Sequence, residues 1–243
     1  MANFLGEDIK DAGTADVHAN EYYELQNAIS RNGLRGCVSV KLTQLGLGGD
    51  GARLPLRLER LVANAERLGQ FFWFDMESSA VTSKTLEIFT TAFAKHPKVG
   101  VAIQAYLRRS EADLRALLDR GAHVRLVKGA YREPRDLVFA NRSEISKSYS
   151  FLLRQLFERG EGFAVGTHDT KLIEEAKRLA ESKHTDFEFQ FLKGIREDTK
   201  EDLVKSGYRV SEYLPYGDSW LAYSKRRLSE HPSNFWLLLR SLV

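Results

Sequence analysis

Seven short runs rich in β-branched and aromatic residues recur along the chain, separated by stretches with helical spacing. This alternation constrains the fold more than any other feature. The runs are Cys37–Thr43 (CVSVKLT), Phe71–Asp75 (FFWFD), Val99–Tyr106 (VGVAIQAY), His123–Lys128 (HVRLVK), Phe163–His168 (FAVGTH), Phe187–Leu192 (FEFQFL) and Tyr208–Leu214 (YRVSEYL). They are apolar through most positions, as strands buried in a parallel sheet are. Between them, three sets follow spacings of three and four: Leu54, Leu58, Leu61, Val62, Ala65 and Leu68; Tyr149, Leu152, Leu153, Leu156 and Phe157; Leu172, Ile173, Ala176, Leu179 and Ala180. Strand, helix and strand in repetition require crossover connections and hence a parallel sheet.

Closing such a sheet calls for an eighth strand. The candidate is Asn3–Leu5 before Gly6, with a helix near Glu21–Ile29 after it. The pattern predicts an α/β fold, a (β/α)8 TIM-type barrel whose chain starts inside its first strand; an open doubly wound sheet is the alternative. A length of 243 residues is the usual size of one such barrel, and with no linker or composition break residues 1–243 read as a single domain.

Composition narrows the function. Thirty-six basic and 33 acidic residues leave a net charge of +3 with no basic run, which argues against nucleic acid as a partner. The single cysteine, Cys37, allows no intrachain disulfide and disfavours a Cys-based zinc site. His96, His123, His184 and His231 read as helix-end or surface residues, so no metal site is expected. No apolar stretch approaches the about 18 residues of a membrane span. The first residues lack the basic and apolar regions of a signal peptide, so the expected setting is a reducing cytoplasm.

In α/β folds chemistry collects at the C-terminal ends of strands. Here those ends carry Lys41, then Asp75-Met76-Glu77, Gln104, Arg125 with Lys128-Gly129-Ala130-Tyr131, Thr167-His168-Asp169, Gln190 with Leu192, and Tyr213. A barrel of purely structural purpose has no need of this, because buried charge is costly unless paired. Singly, each has a plainer explanation: Lys41 as a barrel lysine paired with Asp75, His168 as a satisfied core histidine, Gly129 as a strand-to-loop transition. Gly46-Leu47-Gly48-Gly49 reads as a flexible loop over the mouth, and no GxGxxG or P-loop is present. After Pro215 and Gly217, Tyr223, Arg226, Arg227 and Glu230 share one helical face. Paired guanidinium forks suit a carboxylate, although a solvated face with an Arg226–Glu230 pair explains the spacing as well.

Taken together, VSVKLTQLGL, FFWFDME, VAIQAYL, VRLVKGAY, VGTHD, FEFQFLKGI and YLPYGDSWLAYSKRRLSE run in an order that resembles the proline dehydrogenase family, flavin-dependent barrel enzymes of proline catabolism. FLGE near the start is similar to the end of that family's first strand. The likeness is greatest to the single-function bacterial type. It implies FAD bound by Met76, Gln104, Arg125, Lys128, Gly129, Ala130, Thr167 and His168, with Glu230 toward the nucleotide end. It implies L-proline held by Lys41, Arg226 and Arg227 at its carboxylate and enclosed by Asp75, Tyr131, Leu192, Tyr213 and Tyr223. Asp75 and Arg125 match the catalytic positions, and a membrane quinone would take the electrons. The tail Phe235–Val243 could touch a membrane peripherally or pack under the barrel.

Two departures stand out. The helices that family members carry before the first strand are missing, which leaves barrel closure open. Ser78 follows Glu77 where the family has an acidic residue. The alternatives are another flavin barrel, such as a methylenetetrahydrofolate reductase relative, which the paired arginines fit poorly, or a barrel that binds flavin or a carboxylate without turnover.

Overall fold

The computed structural model describes residues 1–49, 51–183 and 185–217. Eight parallel strands close into a barrel in chain order: β1 (Ala2–Phe4), β2 (Val38–Val40), β3 (Phe72–Phe74), β4 (Val99–Gln104), β5 (His123–Val127), β6 (Phe163–Gly166), β7 (Phe187–Leu192) and β8 (Val210–Tyr216). Closure is complete at the short first strand. Ala2 pairs with Val38 on one side, and Ala2, Asn3 and Phe4 pair with Leu214, Pro215 and Tyr216 on the other.

Seven α-helices surround the sheet among the described residues: α1 (Ala12–Arg31), α2 (Leu54–Arg67), α3 (Ser79–Phe93), α4 (Ser110–Leu118), α5 (Arg142–Arg159), α6 (Thr170–Ser182) and α7 (Glu197–Lys205). Asp11, Asn141 and Asp169 start α1, α5 and α6 by accepting hydrogen bonds from first-turn amides. The core lies between sheet and helices. Val40, Phe72, Phe74, Val101, Leu126, Val165 and Phe191 are buried there with Leu58, Leu61, Leu114, Leu152 and Ile173. One residue along, the side chains turn to the barrel axis: these include Ser39, Trp73, Arg125, Gln190 and Tyr213, with the small Gly100, Ala102, Ala164 and Gly166 in β4 and β6.

The helix predicted near Glu21–Ile29 is the second half of α1. Its first half buries only the small Ala15 and Ala19, which give no apolar stripe to read. Residues 46–49 are not a flexible cover. Leu42–Leu45 form a buried 3₁₀ turn, Leu47 is buried, and a Cβ on Gly49 would come within 2.6 Å of the Lys10 Cα. The glycine is there for close backbone approach. His123 is not on the surface either: it lies in β5, part-buried, with its ring 5.4 Å from that of Phe71.

Candidate active site

Six strands, β1, β2, β3, β5, β7 and β8, contribute to one buried cluster on the barrel axis. Asp75 follows β3 directly. Its Oδ1 accepts from Ser39 Oγ of β2 at 2.7 Å and from Nη2 of Arg125 of β5. Its Oδ2 accepts from the Tyr213 hydroxyl of β8 at 2.7 Å and from Asn3 Nδ2 of β1 at 3.4 Å. Arg125 Nη2 also donates to Ser39 Oγ at 2.9 Å, and its Nη1 reaches Gln190 Oε1 at 3.4 Å. The guanidinium lies over the rings of Trp73 at 4.9 Å and Tyr213 at 5.8 Å. Removing two such ions from water costs several kcal/mol each, about what a direct pair with every remaining lone pair bonded can return.

The electrostatics follow from these contacts. Burial alone would raise the Asp75 carboxyl; Arg125 first, then Lys41 and the Ser39 and Tyr213 hydroxyls, outweigh it and hold it below its ordinary value. Burial and the neighbouring Asp75 push the Tyr213 phenol far above its ordinary range, so it stays a donor. Glu77 is displaced in the opposite sense. Burial raises its carboxyl, only partly opposed by hydrogen bonds from Thr43, whose amide donates at 3.1 Å and whose hydroxyl donates to the other oxygen.

Lys41, at the end of β2, is buried and faces both carboxylates. The pairing with Asp75 expected from sequence goes to Arg125 instead: among the described residues Lys41 forms no direct ion pair. Gln104 donates to the Glu77 carbonyl at 2.8 Å, and Met76 is buried beside it. Lys128 pairs with Asp169 at 2.7 Å, both partly exposed. At Gly129, with φ of +108°, a Cβ would stand 2.1 Å from the Tyr106 ring, so bare backbone is required there. Ala130 follows it, half-buried. Thr167 Oγ1 accepts from the Asp169 amide at 3.2 Å. His168 Nε2 accepts from the Leu192 amide at 3.0 Å, which puts the proton of a neutral ring on Nδ1. Tyr131 donates to Glu7 Oε2 at 3.4 Å.

Asp75, Arg125 and Tyr213 therefore meet, with Lys41 beside them, while Lys128, Thr167 and His168 line the rim on the β5–β7 side. Tyr213, expected at a strand end, is mid-strand, because β8 continues to Tyr216, whereas Lys41 and Asp75 directly follow the ends of β2 and β3. Tyr223, Arg226, Arg227 and Glu230 lie outside the described residues. Ser39, Asn3 and Trp73 are members of the cluster that the sequence does not mark as site residues, and Glu77 it marks only as a strand-end carboxylate. Ser39 and Trp73 lie two residues before Lys41 and Asp75, so strand periodicity would have aimed them inward. A cavity of about 470 Å³ lies away from this cluster, between α5 and α6, lined by Ser143, Lys147, Phe151 and Arg154 and reaching Asp169. No group of three or more potential metal-ligating side chains occurs among the described residues.

Comparison with known proteins converges on one family. The family model described as proline dehydrogenase matches residues 1–235. Proline dehydrogenase 2 of Bacillus subtilis (strain 168) is 36% identical over 242 residues, covering 98% of this chain and 80% of that protein. Proline dehydrogenase of Deinococcus radiodurans is 37% identical over 251 residues, covering 99% and 80%. Among solved structures, proline utilization A from Bdellovibrio bacteriovorus, inactivated by N-propargylglycine, superposes with a TM-score of 0.87 at 29% identity over 98% of this chain. The chain spans only 30% of the length of that larger protein. By sequence match along nearly its whole length and by barrel architecture, the chain belongs to the proline dehydrogenase family.

Proposed function

We propose that this chain oxidises L-proline to 1-pyrroline-5-carboxylate with FAD as its bound cofactor and a quinone as the final electron acceptor. The observation that carries the reading is the pair of opposite charges, Asp75 and Arg125, buried inside the barrel and bonded to each other, with Lys41, Gln104, Lys128 and Gly129 at neighbouring strand ends. Bound FAD would supply the hydride acceptor that amino-acid side chains lack. The rim suits such a group: Arg125 and the partly exposed Lys128 offer positive charge to an anionic cofactor, beside the half-buried Gly129 and Ala130. Met76, Thr167 and His168 complete that set, with Glu230 toward the nucleotide end.

The rest follows from this chain's own groups. Lys41, Arg226 and Arg227 bind and orient the substrate carboxylate. Tyr131, Leu192, Tyr213 and Tyr223 enclose the pyrrolidine ring and exclude water. Asp75 remains ionised and holds Arg125 in place, and Arg125 stabilises negative charge developing beside it. Among the described residues no helix is long and apolar enough to cross a membrane. The reading takes the enzyme as cytoplasmic and as meeting a membrane quinone at the bilayer surface, with Phe235–Val243, which lies outside the described residues, as the segment proposed for peripheral contact.

The test is the visible spectrum of the purified protein under anaerobic conditions. A flavin band that bleaches on addition of proline is expected. A band that proline leaves intact, or a protein that retains no flavin, overturns the reading.

A further inference from the structure

Glu133, in the loop between β5 and α5, has no part in the site as described. Its carboxylate leaves that loop and caps a helix 54 residues earlier in the chain: Oε1 accepts from the Ser79 amide at 2.7 Å, and Oε2 accepts from the Ser79 hydroxyl. The helix is α3, whose own N-cap residue, Ser78, makes no side-chain cap. A carboxylate there satisfies an orphan amide and faces the positive end of the helix dipole.

The same carboxylate ties three mouth loops together. The Tyr106 hydroxyl, from the end of β4, lies 3.5 Å from Glu133 Oε1. The Tyr106 ring fills the space against Gly129 that a side chain would need. At the far end the loop is stitched to β4: Phe139 N donates to Tyr106 O at 2.8 Å, Arg108 N donates to Leu137 O at 3.0 Å, and Arg108 lies over the Phe139 ring at 4.8 Å. The segment carrying Gly129, Ala130 and Tyr131 is thus fastened at its end by backbone and at its middle by one carboxylate. That carboxylate grips Ser79, four residues after Asp75 and two after Glu77.

We propose that Glu133 is a positioning residue: by capping α3 from a distance it sets the β5 loop against the β3 loop and so shapes the edge on which the cofactor rests. This rests on the FAD reading above. A cap that served α3 alone would matter for stability and leave cofactor affinity untouched.

The experiment compares the holoenzyme with Glu133→Ala, Glu133→Gln and the double variant Ser78→Asp with Glu133→Ala. Ser78→Asp offers α3 a local cap that does not involve the β5 loop. Flavin release is followed by recovered flavin fluorescence on dilution, beside melting temperature and the separate kcat and KM for proline. Losing the charge-assisted contact should weaken FAD retention on the order of tenfold in Glu133→Ala, with less loss in Glu133→Gln, which keeps one acceptor for the Ser79 amide. The double variant should recover melting temperature but not FAD retention. FAD affinity within about twofold of wild type in Glu133→Ala, or its recovery in the double variant, overturns the proposal. Should Glu133→Ala fail to fold, Glu133→Gln carries the same decision. A wild type that holds no FAD overturns the cofactor reading and this one with it; a wild type that holds FAD beside unaffected variants overturns this one alone.

Discussion

On the outer face of the sheet Val40, Phe72, Phe74, Val101, Leu126, Val165 and Phe191 meet the helices without a polar atom among their side chains. On the inner face, one residue along, stand Ser39, Trp73, Arg125, Gln190 and Tyr213, joined to Asp75 and Asn3. The interior of a barrel of this class is ordinarily packed with branched apolar side chains. Here the two faces divide the work. Each fully buried apolar side chain outside is worth about 1.5–3 kcal/mol of burial. The inner cluster spends part of that on holding charge out of water, a cost offset by mutual pairing. What the contrast teaches is that stability and chemistry are separated by one residue along the same strand.

Arg125→Met should break the contrast hardest. It leaves Asp75 buried without its ion partner, so stability should fall by about 3–5 kcal/mol. Bleaching by proline should slow on the order of 10²–10³-fold, as when a charge-stabilising donor is lost. Urea unfolding and anaerobic stopped-flow absorbance measure the two. Lost stability with an unchanged bleaching rate would make the inner face purely structural.

Phe74→Ala is the matching cut on the outer face. Phe74 is fully buried, and truncation should cost about 3–5 kcal/mol. Per folded molecule, kcat and KM for proline should stay at wild-type values. A shifted KM would mean that the two faces are coupled through the strand.

The arginine pair extends the comparison to substrate. Arg226→Met or Arg227→Met should raise the KM for proline with FAD still bound, by an amount corresponding to about 2–4 kcal/mol for a lost charge-assisted contact. An unchanged KM, with unchanged affinity for a cyclic carboxylate inhibitor, would remove both residues from the site.

Tyr213 divides ring from hydroxyl. Tyr213→Phe removes the 2.7 Å bond to Asp75 and keeps the ring, for a cost of about 1.5–3 kcal/mol. Tyr213→Ser also opens space beside the substrate ring and should narrow the preference for proline over 4-hydroxyproline, seen as the ratio of kcat/KM values. If Phe and Ser variants alter that ratio equally, the ring does not set the preference.

The smallest effect concerns two carboxylates two residues apart with opposite displacements. Asp75 lies below its ordinary 3.8, so its stabilising contribution is fully present above that pH and is lost as pH falls through its folded value. Glu77 lies above its ordinary 4.5, so its ionised form costs stability at neutral pH, and that cost is relieved as pH falls through its folded value toward 4.5. Glu77→Gln should flatten the stability profile from neutral pH down toward 4.5 and leave the acid limb, where Asp75 protonates, in place. Urea unfolding across that range gives the profiles. Identical slopes in variant and wild type would show that the Glu77 charge has no bearing on folding.

Amino-acid order by itself determined the alternation of strands and helices. Periodic apolar residues such as Leu54, Leu58 and Leu61, or the run FFWFD, state locally which element they form and that a face must be buried. It also marked Asp75, Arg125 and Tyr213 as out of place in apolar strands. Tertiary structure alone decided who meets whom. Asp75 and Arg125 are 50 residues apart, and Tyr213 is 138 from Asp75. Lys41, the partner suggested by simple charge, faces Asp75 without taking the ion pair. Glu133 reads as one more loop carboxylate until the fold brings it to Ser79. The physical reason is closure. Around a closed barrel, the neighbours of an inward side chain are set by strand register and by the return of β8 to β1, and neither leaves a trace in local spacing.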